Sequence, residues 1–445
     1  MWRWTLAWLA LAAPSAASAG TISVRATTSV EKYGAEYRQT FVGYVGAPGE
    51  RNDVQLALGV TSSTLRDAGA PVRAGSGCVQ LDEHSARCSY DSTQSPVIGT
   101  VALGDGDDTF TSLPDCVPGW PDLAFPACSL VVRGGPGDDR ITGQGQRVSL
   151  EATGEGGNDV IVGSDVADRL DGGPGRDRLS GRAGDDVLVQ SDGRLGDVLA
   201  GGSGSDTVDY GGVRVPLRVD LARGRAVAGR GNDRLHGIES ATGGAGPDVL
   251  LGTNGANSLY GGPGPAPHTH GDLIAGRGGD DDLSGSPGQD VIRGGRGNDG
   301  VDGDGGNDLL VGGPGNDEFD GQGGLGGRVR IRCGPGYDEF DAPISTGVLA
   351  PVIGTDCEEL ATETSKAVLQ VTSRQVRLVF LKSNACLRHL RLLRGSHRLA
   401  SASREGPGAV TLPFAGDGTA GLRLRFLDEC AVPYPRRFVE LFRIG

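Results

Sequence analysis

Apolar residues recur along the middle of the chain in a fixed register with aspartate. Between residues 154 and 320 a series of Asp residues, mostly nine apart, is each followed two positions later by an apolar residue. The Asp residues are Asp159, Asp168, Asp177, Asp186, Asp197, Asp206, Asp272, Asp281, Asp290, Asp299, Asp308 and Asp317. The apolar residues are Ile161, Leu170, Leu179, Leu188, Leu199, Val208, Ile274, Leu283, Ile292, Val301, Leu310 and Phe319. This period predicts a repeat architecture in which each unit buries one side chain.

The repeating unit is complete at residues 172–180, with the sequence GGPGRDRLS. Glycine occupies positions one, two and four, Asp position six and an apolar residue position eight. Glycine accepts positive φ and tight turning, whereas the last three residues suit a short strand with one inward side chain. Each unit is therefore predicted to be a turn followed by a strand, and stacked copies form a parallel coil that no single unit can stabilise alone.

Stacking these turns brings the position-six carboxylates of neighbouring coils together, where they repel each other. A hard divalent cation would relieve this repulsion, and Ca²⁺ takes six to eight oxygen ligands of the kind that carboxylates and turn carbonyls offer. Mg²⁺ demands a tighter octahedron and keeps its water, so it fits less well. The pattern thus favours calcium as the bound ion.

The pattern G-G-x-G-x-D-x-U-x, where U is apolar, resembles the RTX, or haemolysin-type, calcium-binding nonapeptide repeat. The resemblance covers residues 99–345 with gaps and is most specific over 154–209 and 271–320. It implies a parallel β-roll that binds several calcium ions between successive turns, through position-six Asp side chains and turn carbonyls. The metal ligands that it implies are the twelve Asp residues above together with Asp233 and Asp248, and, more weakly, the isolated Asp108 and Asp139.

Three stretches depart from the repeat. Asn257 replaces the position-six Asp, which removes a charge and is expected to weaken one site. His268 and His270 lie in an insertion with no third metal ligand in view, so a solvated loop is favoured. Residues 210–228 alternate apolar and polar residues, which predicts strands longer than those of the repeat.

The two ends of the chain differ from the repeat. Residues 20–98 show β-type alternation and are predicted to form an irregular β region that caps the roll, with a separate N-terminal binding domain as the competing interpretation. Residues 366–445 carry recurrent strand signals and predict a small β-sandwich-like domain. The predicted organisation is all-β: a signal peptide at 1–19, the cap at 20–98, the roll at 99–345, a linker and roll cap at 346–365, and the C-terminal domain at 366–445.

Export is predicted from the N-terminus and the cysteines. Residues 1–19 combine a positive start, an apolar run and an Ala-Ser-Ala cleavage site, as in a secretory signal peptide. The eight cysteines form near pairs without C-x-x-C spacing, which disfavours zinc. Connectivity cannot be read from sequence, but adjacent pairing is favoured because each pair falls in one candidate unit. The favoured disulfides are Cys78–Cys88, Cys116–Cys128, Cys333–Cys357 and Cys386–Cys430.

Composition and charge limit the function. With 78 glycines and 37% hydrophobic residues among 445, the chain lacks an enzyme-like core along its whole length. No internal apolar run suits a membrane span, so an integral membrane protein is not expected after signal cleavage. A net charge of −14 argues against nucleic acid as a partner. Within that total, residues 366–445 carry 14 basic and 5 acidic residues.

The sequence therefore predicts a secreted calcium-binding β-roll with a structural or interaction role. It is not expected to be an enzyme, because no H-E-x-x-H, G-x-S-x-G or P-loop motif is present. Two alternatives remain. One is a secreted or surface hydrolase or lyase that carries an RTX repeat tail. The other is an adhesin that binds an acidic envelope polymer or polysaccharide through the basic C-terminal domain.

Overall fold

The computed structural model is all-β, as the sequence predicts. The described residues are 19–30, 36–59, 61–90, 97–113, 128–145, 148–194, 196–263, 271–320, 329–336 and 338–341, followed by the backbone of the later strands. They form 43 strands and one turn of 3-10 helix, Leu221–Arg223. Within them no helix is long and apolar enough to cross a membrane. The chain divides into two compact units, residues 1–172 and 173–445.

The first unit winds its strands into two sheets. Its described strands are β1 Gly20–Val30, β2 Glu36–Val45, β3 Asp53–Leu58, β4 Ser62–Asp67, β5 Val72–Ala74, β6 Cys78–Asp82, β7 Ser85–Ser89, β8 Val97–Ala102, β9 Thr109–Leu113, β10 Cys128–Pro136, β11 Arg140–Thr142, β12 Val148–Gly156, β13 Val160–Val162 and β14 Arg169–Asp171. One sheet has the order β5-β1-β2-β8-β10-β12-β14. The other has the order β6-β7-β4-β3-β9-β11-β13. From β8 onward successive strands alternate between the sheets and neighbours are parallel, which is the winding of a parallel β-roll.

The N-terminal strands extend both sheets of this unit. β2 pairs in parallel with β8, and β3 pairs in parallel with β9, so the N-terminal strands continue both sheets. The alternation in β3 buries Val54, Leu56 and Leu58 and exposes the residues between them. Apolar burial on one face of each strand thus joins these N-terminal strands to the repeats.

The second unit repeats the same winding. Its described strands are β15 Arg178–Ala183, β16 Val187–Val189, β17 Val198–Ser203, β18 Thr207–Asp209, β19 Leu217–Asp220, β20 Arg225–Ala228, β21 Gly231–His236, β22 Ser240–Thr242, β23 Val249–Leu251, β24 Ser258–Tyr260, β25 Leu273–Gly278, β26 Asp282–Ser284, β27 Pro287–Gly288, β28 Val291–Arg296, β29 Gly300–Asp302, β30 Gly305–Gly306, β31 Leu309–Val311, β32 Glu318–Asp320, β33 Arg330–Arg332 and β34 Asp338–Asp341. One sheet runs β15-β17-β21-β20-β19-β23-β25-β28-β31-β33. The other runs β16-β18-β22-β24-β26-β29-β32-β34, and β27 pairs with β30.

The position-eight side chains form the core of both units. All twelve apolar residues that the period singles out are 2% exposed or less. Each repeat therefore contributes one buried side chain from one short strand, as predicted. Burying one apolar side chain contributes about 1.5–3 kcal/mol, so the core is assembled from many small equal parts.

The insertion at residues 210–228 adds an antiparallel hairpin to one sheet of the second unit. Its strands β19 and β20 are joined by the 3-10 turn, which ends at Gly224 in the left-handed conformation with φ 58°. β20 also pairs with β21, and β19 continues the parallel ladder to β23. β19 and β20 have four residues each, whereas the strands of the repeats have three or, in β15, β17, β25 and β28, six, so the alternation adds a hairpin rather than strands longer than all of the repeat strands.

Beyond the repeats the backbone becomes antiparallel. The strands are β35 Val352–Ile353, β36 Glu359–Thr362, β37 Ala367–Val371, β38 Gln375–Phe380, β39 Leu387–Arg394, β40 His397–Ala402, β41 Gly408–Pro413, β42 Leu422–Asp428 and β43 Arg437–Ile444. They form two sets, β36-β37-β38-β41 and β43-β42-β39-β40. β36 pairs with β34, while β35 pairs with both β33 and β43, so each set continues one sheet of the roll.

Candidate metal centres

The position-six Asp side chains lie at the turns that precede the short strands. Asp299, for example, immediately precedes β29, and Asp308 immediately precedes β31. All sixteen Asp residues that the resemblance nominates are at most 6% exposed. Burial of a carboxylate is costly unless its oxygens are hydrogen-bonded or bind a cation, so the surroundings of each oxygen decide what the turn can do.

One oxygen of most of these carboxylates bonds to the neighbouring coil. Oδ1 accepts the backbone N–H of the position-six residue one coil earlier, with N–O distances of 2.6–3.0 Å. In the first unit the donor–acceptor pairs are Asn52–Asp108, Asp108–Asp139 and Asp139–Asp159. In the second unit they are Asp177–Asp197, Asp186–Asp206, Asp197–Asp233, Asp248–Asp272, Asn257–Asp281, Asp272–Asp290, Asp281–Asp299, Asp290–Asp308, Asp299–Asp317 and Asp317–Asp338. These bonds form carboxylate ladders along the edges of the roll.

The second oxygen, Oδ2, is buried without a hydrogen-bond donor in a defined set of turns. Within the described chain this set includes Asp108, Asp139, Asp206, Asp281, Asp290, Asp299, Asp308 and Asp317. A buried polar atom without a partner costs about 1–3 kcal/mol, and a charged one costs more. A bound cation would remove this penalty.

A main-chain oxygen lies near Oδ2 beside several of the position-one glycines. A Cβ placed on Gly276 would collide with Asp281 Oδ2 and lie 2.8 Å from the carbonyl oxygen of Gly294, which is position one of the next coil on the same edge. A corresponding pair, an Asp Oδ2 and a main-chain carbonyl oxygen, lies beside three other position-one glycines, Gly134, Gly154 and Gly312. Carboxylate and carbonyl oxygens thus converge on one point, and this all-oxygen donor set fits Ca²⁺.

The turns take two forms, which differ at position two. In the open turns the position-two residue has a positive φ, between 57° and 129°, and Oδ2 of the following Asp has no donor. Those residues are Gly104, Gly135, Gly202, Arg277, Ser286, Gly295, Asp304 and Gly313. The position-two N–H then points along the stack, as in the 2.9 Å bond from Gly295 N to the carbonyl oxygen of Gly312.

In the closed turns the position-two N–H bonds to the position-six side chain instead. Gly244 N donates to Asp248 Oδ2 at 2.6 Å, and Thr253 N donates to Asn257 Oδ1 at 2.6 Å. In the first unit Ser164 N makes the same bond to Asp168. A closed turn satisfies its own carboxylate or amide, so it offers no orphaned oxygen.

Side chains close three further positions. Tyr210 Oη donates to Asp233 Oδ2 at 3.0 Å, and Gln190 Nε2 donates to Asp197 Oδ2 at 2.8 Å. Ser286 Oγ donates to Asp272 Oδ2 at 3.3 Å. The three donors come from the insertion or from neighbouring turns, and each is buried.

Burial shifts the pKa of the ladder carboxylates upward. It raises the pKa of Asp281 and Asp317 to about 7, and the nearby Asp299 carboxylate adds to both shifts. Burial likewise raises the pKa of Asp139 and Asp290 to about 7. The ladder N–H bonds oppose these shifts in each case. The calcium-free open turns are therefore strained by their own charge near neutral pH.

A second ladder, which the sequence analysis did not predict, lies at position five. There the backbone N–H donates to the position-five side chain of the preceding coil, at 2.7–3.0 Å. The pairs are Asp138–Asp107, Asn158–Asp138, Ser205–Asp185, Asn298–Asp280 and Asn316–Asn298. The frequent Asp or Asn at position five was the available signal.

Two further rungs of the position-six ladder were also missed. Glu239 Oε2 accepts the N–H of Asp206 at 3.0 Å, and Asp338 Oδ1 accepts that of Asp317. Asp338 occupies position six of the degenerate repeat that begins at Cys333, so its frame could have revealed it. Glu239 follows the insertion, where the period is broken, and the sequence gives no comparable signal.

The carboxylates occur one per turn rather than in clusters. Across the described parts of the chain, no group of three or more His, Cys, Asp or Glu side chains is arranged to hold a metal ion. Main-chain carbonyl oxygens must therefore supply much of any coordination shell at these turns. His268 and His270 lie outside the described residues.

The structure confirms one predicted disulfide. Cys78 and Cys88 pair across the hairpin β6–β7, with their sulfur atoms 2.00 Å apart. Cys128 is also disulfide-bonded, and so is Cys333, each to a cysteine that lies outside the described residues. The remaining predicted partners, Cys116 and Cys357, and the predicted pair Cys386 and Cys430, lie outside the described residues.

Comparison with known proteins identifies the repeat. A family model for the RTX calcium-binding nonapeptide repeat, in four copies, matches residues 131–147, 153–188, 238–264, 269–301 and 302–324. No curated protein matches the chain. The matched segments contain both open and closed turns. Residues 131–324 of this chain therefore carry RTX calcium-binding nonapeptide repeats, and the protein is a calcium-binding β-roll.

Proposed function

We propose that this protein is secreted and orders its roll on extracellular calcium, with a structural or interaction role rather than a catalytic one. The observation that supports this proposal is the row of buried Oδ2 atoms without hydrogen-bond donors in the open turns. Calcium would bind these oxygens together with turn carbonyls and join successive coils. Extracellular calcium modules bind with dissociation constants of about 10⁻⁴–10⁻³ M, which suits a switch set by export.

Ion binding supplies the stability that the thin core lacks. A site that binds only the folded state adds about 1.4 kcal/mol when free calcium is ten times the dissociation constant. Several such sites would outweigh the cost of the orphaned oxygens. In low calcium the carboxylates repel and the open turns lose their order.

Two observations support export. Residues 1–19 have the pattern of a signal peptide, and they lie outside the described residues except for Ala19. The Cys78–Cys88 disulfide fits an oxidising compartment, because disulfides persist outside the reducing cytosol. Export would bring the chain into the extracellular space, where calcium is abundant enough to order the roll.

Circular dichroism of the mature chain tests this function directly. We expect the β signal and the melting temperature to rise on addition of calcium and to fall again on chelation. Magnesium at the same concentration is the control, and it should have a smaller effect because it prefers a hydrated octahedron. A β signal and a melting temperature that do not change on addition of calcium would contradict the proposal.

A second candidate role is adhesion through the C-terminal strands. Residues 366–445 carry a net charge of +9, whereas the rest of the chain carries −23. We propose an acidic envelope polymer or polysaccharide as the ligand. Retention of the full chain on an immobilised acidic polysaccharide, lost at high salt and reduced in the double variant Arg423→Gln, Arg425→Gln, would support it. Equal retention of the variant would contradict it.

A further inference from the structure

Open and closed turns are not mixed evenly along the second unit. The five consecutive position-six residues of 276–320, which we call the open stretch, all have an Oδ2 without a donor: Asp281, Asp290, Asp299, Asp308 and Asp317. Residues 207–263, which we call the closed stretch, contain four ladder positions: Asp233, Asp248 and Asn257, which are closed, and the half-buried Glu239. The two stretches therefore differ in whether the second oxygen of the position-six side chain already has a hydrogen-bond donor.

In the closed stretch, N–H and O–H groups of the protein donate hydrogen bonds to both oxygens of the Asp233 and Asp248 carboxylates. Asp233 accepts the N–H groups of Gly196 and Asp197 on Oδ1 and the buried Tyr210 hydroxyl on Oδ2. Asp248 accepts Leu217 N on Oδ1 and Gly244 N on Oδ2. A calcium ion at these turns would have to displace buried donors and leave them without partners.

Asn257 closes its turn by a change of chemistry. Its amide oxygen accepts Thr253 N, and its Nδ2 donates to the carbonyl oxygen of Glu239 at 2.7 Å. The amide oxygen therefore takes the place beside Gly252 that Oδ2 takes in an Asp turn, where Thr253 N already occupies it, and Nδ2 faces the preceding coil. Asn257 stays in the ladder through its backbone, because Asn257 N donates to Asp281 Oδ1 whatever the side chain.

The open stretch has no such donors. Its position-two residues Arg277, Ser286, Gly295, Asp304 and Gly313 all have positive φ. In the described bonds of Gly295 and Gly313 the N–H is used along the stack rather than within the turn. The orphaned oxygens alternate between the two edges of the roll, so both sheets depend on what binds them.

We propose that the second unit is divided into a closed stretch that is ordered without calcium and an open stretch that becomes ordered only when calcium binds. This inference rests on the proposed calcium-binding function and specifies which turns perform it. The closed stretch binds no calcium, although it lies within the nonapeptide repeats. It acts as a preformed template whose strand edge, at β23 and β24, receives the coils that calcium orders.

Counting bound ions in matched variants tests the assignment. Equilibrium dialysis of the full mature chain against calcium should give about one ion fewer for Asp299→Asn, because one carboxylate ligand of an open turn is lost. Asp233→Asn, the matched change in a closed turn, should bind as many ions as the unchanged chain. An equal loss in both variants would overturn the proposal.

Hydrogen exchange of the unchanged chain gives a test that needs no substitution. Amides of residues 217–251 should be equally protected with and without calcium. Amides of residues 291–320 should become at least about tenfold more protected when calcium is added at ten times its dissociation constant. Protection that rises equally in both stretches would overturn the division. No binding of calcium at all, with both stretches protected throughout, would instead contradict the proposed function.

Discussion

At the scale of the residue, the position-one glycine and the position-six carboxylate form one device. Gly294 leaves open the space that Asp299 Oδ2 occupies, and a Cβ there would collide with that oxygen. The glycine is needed for this close approach rather than for its turn geometry, since Gly294 does not have a positive φ. The site is thus encoded by two residues five apart, one of which contributes by lacking a side chain.

Gly294→Ala should therefore destabilise the calcium-loaded roll by about 1–3 kcal/mol, because the added methyl forces Asp299 out of place. The matched control is Gly300→Ala in β29, where a Cβ would meet its nearest atom at 3.7 Å and the backbone has no positive φ. That variant should stay within about 0.5 kcal/mol of the unchanged chain. Denaturant unfolding in saturating calcium measures both, and equal losses would show that the collision is not the cause.

At the scale of the element, the open turn carries backbone strain wherever position two is not glycine. Asp304 has φ 57° and adds a negative charge beside Asp302, Asp290 and Asp308, whose pKa values it helps to raise. Arg277 has φ 82°, but its guanidinium donates to the carbonyl oxygen of Gly252 at 2.6 Å and to the buried Asp220 at 3.2 Å. The same strain is compensated in one turn and not in the other.

Asp304→Gly should therefore stabilise the calcium-loaded roll by about 1 kcal/mol, since it removes the left-handed strain. Arg277→Gly relieves the same strain but leaves Asp220 with one cation fewer, so it should be neutral or destabilising. Thermal melts of the two variants in saturating calcium compare them. A gain for Arg277→Gly as large as that for Asp304→Gly would mean that the Arg277 contacts contribute nothing.

The elements that the sequence could predict are those with a local period. Asp at position six and the apolar residue at position eight recur within nine residues, so the short strands, their buried side chains and the carboxylate ladders follow from the pattern. The donors that close a turn do not follow from the pattern. Tyr210 reaches Asp233 across 23 residues, from an insertion that has no period. Whether a turn is open or closed also depends on φ at position two, where Gly244 and Gly295 look identical in sequence.

At the scale of the whole molecule, the acidic charge makes the stability of the fold depend on pH and on calcium. The chain carries −14 overall, and its ladder carboxylates are buried in rows along the edges of the roll. Two ligands can neutralise them: protons at low pH and calcium at higher pH. Both bind the folded state better than the unfolded state, so both stabilise it, and they compete for the same oxygens.

The stability of the calcium-free protein should consequently fall as the pH rises. An unfolded Asp titrates near pH 4, whereas burial raises the pKa of Asp281, Asp290 and Asp317 in the folded chain to about 7. The folded state thus holds protons that the unfolded state has lost; this stabilisation is complete below about pH 4 and disappears as the pH passes about 7.

Melting temperatures at pH 5 and pH 8, each in calcium-free buffer and in saturating calcium, test this linkage. We expect the calcium-free protein to melt at a lower temperature at pH 8 than at pH 5. The increase produced by calcium should be larger at pH 8, because the ion then replaces no proton. A calcium-free melting temperature that rises from pH 5 to pH 8 would show that the open-turn carboxylates are already ionised and satisfied without the ion.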